Sequence, residues 1–283
     1  MDQQIINLYD EYTHRPLSRQ DFLKRLAILA GSTAAAMSLL PLLESNYAVA
    51  AKTVDAELFT ETVKYPGVPN EMSAYIARPK EDKKYPAVIV IHENRGLTPH
   101  IEDVARRAAN AGYLAIAPNA LSALGKTPAN EDEARQWFSE LKAENNLENF
   151  KNAFPYLAKR KDYNGKVGCV GFCWGGAMSN TLAVNVPELK AAVAFYGRQP
   201  AVEDVPKIKA AVQMHYAGMD ERVNAGMAAY EEALKKNNIS YEQYQYEGAQ
   251  HAFHNDTSGA RYNEAAAKLA WGRTLNFFEK HLK

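Results

Sequence analysis

A mostly parallel β-sheet, covered on both faces by helices, is the fold class this sequence predicts. Three observations carry it. From Pro86 to the C-terminus, short β-branched runs alternate with segments of 3.6-residue apolar period. Pro86-Ala87-Val88-Ile89-Val90-Ile91 is apolar without alternation, as expected of a strand buried on both faces. The polar oddities Glu93, Cys173, Tyr196-Gly197 and Asp220 fall directly after such runs, at the carboxyl edge where open α/β sheets bind ligands.

The chain of 283 residues is 47% apolar and 23% charged, which suits one large globular domain. Lys+Arg and Asp+Glu are both 33, and a balanced charge argues against nucleic-acid binding. The cluster Lys159-Arg160-Lys161 reads as a solvated helix end. The two cysteines, Cys169 and Cys173, sit on one predicted strand and its turn. Their separation along a strand is about 13 Å, beyond the ~7 Å a disulfide spans.

Residues 1–50 read as a leader outside the fold. Ser18-Arg19-Gln20-Asp21-Phe22-Leu23-Lys24 resembles a twin-arginine export motif, with Gln20 in place of the second arginine. An apolar run from Leu26 to Leu43 follows, then Ala48-Val49-Ala50, a small-x-small cleavage signature. The expectation is export to the periplasm, cleavage after Ala50, no stable membrane span afterwards, and residues 51–283 as the working domain. The alternative is an uncleaved amphipathic arm packed on the domain of a cytoplasmic protein.

Leu58–Tyr65 and Met72–Ile76 read as two strands around a Pro/Gly-rich turn, antiparallel at a sheet edge. After Ile91, Thr98-Pro99 opens a helix with an Ile101, Val104, Ala105, Ala108 face, closed by Gly112. Tyr113–Ala117 is the next strand, and Asn119–Asn130 is a loop long enough to be functional. Two helices follow, marked by Ala134, Trp137, Phe138, Leu141 and by Phe150, Ala153, Phe154, Leu157. Strands at Lys166–Phe172, Leu189–Phe195 and Ala210–Tyr216 come next, then a helix at Met227, Tyr230 and Leu234. Tyr241–Tyr246 alternates as an outer strand would, and Leu275, Phe278 and Leu282 mark a final helix.

The chemistry centres on Gly171-Phe172-Cys173-Trp174-Gly175-Gly176. A buried strand ends in Gly-x-Cys-x-Gly and a helix begins at once, which is the outline of a nucleophile elbow. Cysteine attacks as thiolate and needs a partner for its proton. Of seven histidines, His251 follows the last strand by a short Gly-containing loop, over the carboxyl edge. Asp220 follows the strand before it and is the candidate to orient that ring, with Glu221 as fallback and a plain helix cap as the bland alternative. Nucleophile, acid, histidine is the chain order of α/β-hydrolases. The backbone N–H groups of Trp174 and Asn94 are the candidate oxyanion donors. Serine chemistry at Ser179 or Ser122 fits less well, since neither lies at an elbow.

Cys173 in Gly-Phe-Cys-Trp-Gly-Gly, Glu93 in His-Glu-Asn-Arg-Gly, Asp220, and His251 in Gly-x-x-His-Ala-Phe together resemble the dienelactone hydrolase family, over nearly all of the chain after Leu58. The resemblance implies an α/β-hydrolase fold, a Cys173–Asp220–His251 triad, and Glu93 as the carboxylate that helps release the thiolate when substrate binds. It also implies a small ester or lactone as partner. Family members acting on dienelactone hold its carboxylate with two arginines. The corresponding segments here offer Lys126, and His254 with Arg261 further on; Tyr196 is a further candidate contact. No His/Cys cluster at metal-ligand spacing runs along the chain, so no metal or organic cofactor is expected. A monomer or small homo-oligomer is expected. The rival reading is a non-catalytic binding protein on the same fold with a decayed site.

Overall fold

The computed structural model describes residues 1–49, 57–126, 128 and 130–283. Among the described residues, eight strands form one sheet: β1 Leu58–Tyr65, β2 Met72–Pro79, β3 Tyr85–Ile91, β4 Leu114–Asn119, β5 Tyr163–Phe172, β6 Ala191–Phe195, β7 Ala211–Ala217 and β8 Tyr241–Tyr246. The order is β1-β2-β4-β3-β5-β6-β7-β8. β1 and β2 are antiparallel to their neighbours, and every other pairing is parallel. This is the α/β-hydrolase fold.

The helices are α1 Gln3–His14, α2 Arg19–Ala30, α3 Thr33–Leu43, α4 Pro99–Asn110, α5 Glu131–Phe138, α6 Ala143–Lys151, α7 Ala153–Ala158, α8 Trp174–Asn185, α9 Glu221–Asn224, α10 Met227–Lys236 and α11 Glu264–Leu282. Strand side chains alternate between two cores. On β3, Ala87, Ile89 and Ile91 face the core built with α6, α7, α8 and α10. Val88 and Val90 face the one built with α4 and α11. Continuous apolar strands are thus needed in the middle of the sheet, and β5, which carries the elbow, lies there between β3 and β6.

The loop expected at Asn119–Asn130 begins as a 3-10 turn over Ala120–Leu124, capped by the Asn119 side chain. Cys169 is fully buried, and burial pushes its thiol up to about 12, so it is an inert core group. Both cysteines are free.

The first 44 residues are three docked helices. Ser18 and Ser32 cap α2 and α3 with their hydroxyls, and Gly31 ends α2 in the left-handed region at φ 81°. Tyr9, Tyr12, Phe22, Leu26, Leu40 and Leu43 form a separate apolar cluster. The run read as a signal core is therefore split at Gly31-Ser32 into two helices bent by 111°, and among the described residues no single helix is long and apolar enough to cross a membrane. Ala50, and with it the expected cleavage point, lies outside the described residues.

Two buried histidines lock the sheet's polar interior as neutral rings. His92 accepts the Ala120 N–H at Nε2 (3.0 Å), so its Nδ1–H is the one donated to the Glu93 carbonyl (2.5 Å). His215 donates Nε2–H to Gln213 Oε1 (2.9 Å) and accepts from the Tyr246 hydroxyl at Nδ1 (2.8 Å). Burial lowers them to about 4 and about 3, from 6.5. The folded form resists the proton that the unfolded chain takes up below pH 6.5. Their stabilisation is complete above that pH and is lost as pH falls toward 4 and 3. Each loses about 1.4 kcal/mol per pH unit in that window, so the pair removes roughly 4 kcal/mol by pH 5. Urea unfolding at pH 7.5 and 5 measures this, and equal midpoints would contradict it.

Candidate active site

Cys173 sits between β5 and α8 with φ 55° and ψ −112°, a strained conformation for a residue with a side chain. The surroundings hold it there. Its N–H donates to the Phe195 carbonyl (3.0 Å), and its own carbonyl accepts from the Ala177 N–H (3.2 Å). The turn is closed so tightly that a Cβ on Gly171 would lie 1.8 Å from the Gly175 carbonyl oxygen, and one on Gly175 2.3 Å from that of Ile91. The thiol is thereby presented at the carboxyl edge, at the start of a helix.

His251 arrives on the loop after β8 and Asp220 on the loop after β7. Asp220 Oδ2 lies 2.5 Å from His251 Nδ1, and its Oδ1 accepts the Val223 N–H (3.2 Å). The aspartate therefore both orients the ring and caps α9, and the two sequence readings of it are compatible. Burial alone would raise the Asp220 carboxyl; His251 and Arg222 outweigh it and hold the group below its ordinary value. Glu221, the fallback, is exposed. His251 Nε2 is buried with no hydrogen-bond partner.

The residue on the sulfur comes from the segment whose sequence reads as a leader outside the fold. His14, at the end of α1, places Nε2 3.1 Å from Cys173 Sγ. Its ring stands edge-on to His251 with centroids 4.6 Å apart. Asp10, one turn earlier, sets its Oδ1 3.1 Å from His14 Nδ1. The available signal was local: Asp10 and His14 lie at i, i+4 on an amphipathic helix, where side chains meet.

An open pocket of about 1180 Å³ lies over the sulfur, lined by His14, Asn94, Trp174, Tyr196 and His251 among others. Trp174 and Asn94, the candidate oxyanion residues, are both in it. The Trp174 ring stacks on His92 (5.5 Å), and the Asn94 side chain donates to the Thr13 carbonyl (2.8 Å). Glu93 is held by the Asn255 amide at Oε2 (2.7 Å) and the Tyr196 hydroxyl at Oε1 (3.4 Å). It borders a small recess shared with Cys173, His251 and Arg261. Tyr196 lies 5.0 Å from the His251 ring.

Two expected substrate contacts are placed elsewhere. Lys126 pairs with Glu140 (3.4 Å), lies over the Trp137 ring (3.9 Å) and is absent from the pocket lining. His254 is 1% exposed and stacks on Phe172 at 4.9 Å, in the core rather than the site. Burial drives it far below its ordinary value. Ala252, at φ 68° in the left-handed region, lies between His251 and His254, whose rings end in different surroundings. The arginines in the pocket lining, Arg15, Arg19, Arg135, Arg198 and Arg222, are not candidates that the sequence singles out. Nor does spacing along the chain exclude a metal-competent group: the His14, Cys173 and His251 donor atoms all lie within 4.8 Å of one another.

Fold and site thus define an α/β-hydrolase with a cysteine at its elbow. The chain belongs to the dienelactone hydrolase family: the model of the "Dienelactone hydrolase family" matches residues 72–282. It is 32% identical over 246 residues to a Saccharolobus solfataricus protein named "Putative carboxymethylenebutenolidase", covering 74% of this chain and 94% of that one. It is 49% identical over 107 residues to the Escherichia coli K12 "Putative hydrolase fragment YghX", covering 36% of this chain and 91% of that one. Among solved structures, a "Putative Dienelactone Hydrolase" of Klebsiella pneumoniae superposes with TM-score 0.72 at 30% identity, covering 79% of this chain and 99% of that one. The protein is accordingly a hydrolase.

Proposed function

We propose that the protein hydrolyses small carboxylic esters or lactones through a thioester on Cys173. The observation that carries this reading is a thiol at a strained bend on the carboxyl edge of the sheet, beside an imidazole whose far nitrogen is tied to a buried carboxylate. Thiolate Sγ attacks the carbonyl carbon, and the C–O bond to the alcohol breaks. Water then cleaves the thioester, and His251 Nε2 takes its proton. Asp220 holds the His251 tautomer that leaves Nε2 free as acceptor. The N–H groups of Trp174 and Asn94 are suited to receive the oxyanion. Glu93, bordering the same recess, is the carboxylate suited to steer thiolate release. Arg198 and Arg222 in the lining favour substrates that carry a carboxylate of their own.

The test is to mix the full chain with a panel of activated esters and small lactones, quench in acid within milliseconds, and map the peptides by mass. An acyl adduct confined to Cys173 is expected. Turnover with the adduct on a serine would remove the mechanism. No adduct and no turnover across the panel would favour the non-catalytic binding protein.

A further inference from the structure

We propose that His14, delivered by the N-terminal helix, is a second catalytic histidine: it holds the Cys173 thiolate as an imidazolium–thiolate pair and leaves His251 to activate water. The proposal rests on the reading of Cys173 as nucleophile, and its test separates the two.

The geometry divides the work between the rings. His14 Nδ1 lies 2.9 Å from the Asp10 backbone carbonyl, an acceptor only, so Nδ1 carries a proton and Nε2 faces the sulfur. That nitrogen is placed to take the thiol proton. His251 Nε2, buried and unpartnered, is placed to take a proton from something that has yet to enter. The charges around the pair come from every side. α1 contributes Asp10 and Tyr9. Arg222 on α9 reaches Asp10 (3.5 Å). The loop after β3 contributes Glu93 and Arg95, the one after β6 Tyr196, and the loop after β8 His251 with Arg261. Burial alone would push His14 toward neutrality; Cys173 and Asp10 outweigh it and raise His14 above its ordinary value. Asp10 is held well below the carboxylate range: burial opposes this, and His251 and His14 overcome it.

The proton ledger closes. Cys173 passes its proton to His14 Nε2. Sγ attacks the carbonyl carbon, the ester C–O bond breaks, and the leaving alkoxide takes the proton from His14. Water then gives a proton to His251 as its oxygen bonds the acyl carbon and the C–S bond breaks. The acid product returns a proton to His14, restoring the pair, and His251 releases its own to solvent. One ester and one water yield alcohol, carboxylate and one proton.

The N-terminal segment is fastened to the loops that carry this chemistry. The Gln3 and Gln250 side chains bond one another (2.6 Å and 3.0 Å), next to His251. Asn94 bonds Thr13, next to His14, and the Tyr12 hydroxyl donates to Asp132 (2.7 Å) on α5. Removal of residues 1–50 would take His14 out of the site, so the proposal requires a mature chain that retains them.

The test is the rate of alkylation of Cys173 by iodoacetamide, read by peptide mass, with buried Cys169 as internal control. It needs no ester. In the wild type, alkylation at pH 6.5 should run within about threefold of its rate at pH 9.5. His14→Gln should slow it at least 30-fold at pH 6.5 and recover it at pH 9.5, where solution removes the proton. Asp10→Asn, which preserves volume, should slow it severalfold at pH 6.5. His251→Gln should keep fast alkylation at pH 6.5 yet accumulate the acyl adduct with an activated ester. A His14→Gln profile matching the wild type overturns the proposal, as does a mature N-terminus beyond His14. If His14→Gln fails to fold by circular dichroism, Asp10→Asn decides, and an unchanged profile there overturns it. Fast wild-type alkylation that depends on His14, without turnover of any ester, would leave the ion pair standing and remove the hydrolase mechanism instead.

Discussion

Replacing Cys173 by alanine is expected to lower kcat/KM for a small activated ester by at least ~1000-fold, which is about 4 kcal/mol of transition-state stabilisation. His251→Ala should lower kcat by a similar factor while acylation persists, so that the acyl adduct on Cys173 accumulates. The double variant should be little worse than Cys173→Ala alone, because without the thiol there is no thioester for His251 to clear. Asp220→Asn should cost roughly 10² to 10⁴ by freeing the wrong tautomer of His251. The fold should survive all of these. Cys173 Sγ faces an open pocket rather than the packed interior, and the backbone bonds that hold the elbow belong to its N–H and carbonyl. Initial rates with p-nitrophenyl acetate, alongside thermal melts, measure both halves. Cys173→Ala retaining a tenth of wild-type activity, with an unchanged melt, would show that the acyl group is carried elsewhere.

The features legible in the sequence are those fixed by short-range periodicity and by close backbone approach. All eight strands announce themselves, because strands buried on both faces must be continuously apolar and the edge strand β8 must alternate. The elbow is legible because Gly171 and Gly175 stand where side chains would collide. Asp220 and His251 follow from chain order once the nucleophile is placed. His14 is not legible in that way. Its partner lies 159 positions away, and the surrounding composition resembles an export signal more than a docked helix. The same apolar residues that suit a signal core, such as Leu26 and Leu40, pack here against Tyr9, Tyr12 and Phe22. Composition does not reveal packing partners that are loops far along the chain. His254 shows the opposite error. It stands three residues from His251, but a left-handed Ala252 lies between them, and neighbours in sequence point into different environments.

Gly171→Ala is expected to be the most damaging single-methyl change in the molecule. The added Cβ would lie 1.8 Å from the Gly175 carbonyl oxygen and 2.7 Å from the Ser179 hydroxyl, and the first of these is backbone in the opening turn of α8. Relief requires α8 to withdraw from β5. That helix is seated just as closely on the strands flanking β5, since Gly175 is pressed against the Ile91 and His92 carbonyls and Gly176 against that of Phe195. Backing away thus opens the contact between the helix and three central strands at once, and the cost should exceed ~4 kcal/mol, the range reached only when a core contact is broken. A loss of that size should appear as a large fall in the urea midpoint or as failure to recover soluble protein. Gly272→Ala supplies the control, because a Cβ there meets nothing within 4 Å, and a glycine inside α11 should if anything be improved by the change. Comparable midpoints for the two variants would mean that the elbow has slack the packing denies. The strain at Cys173, which depends on that same lack of slack to present the sulfur, would then need another source.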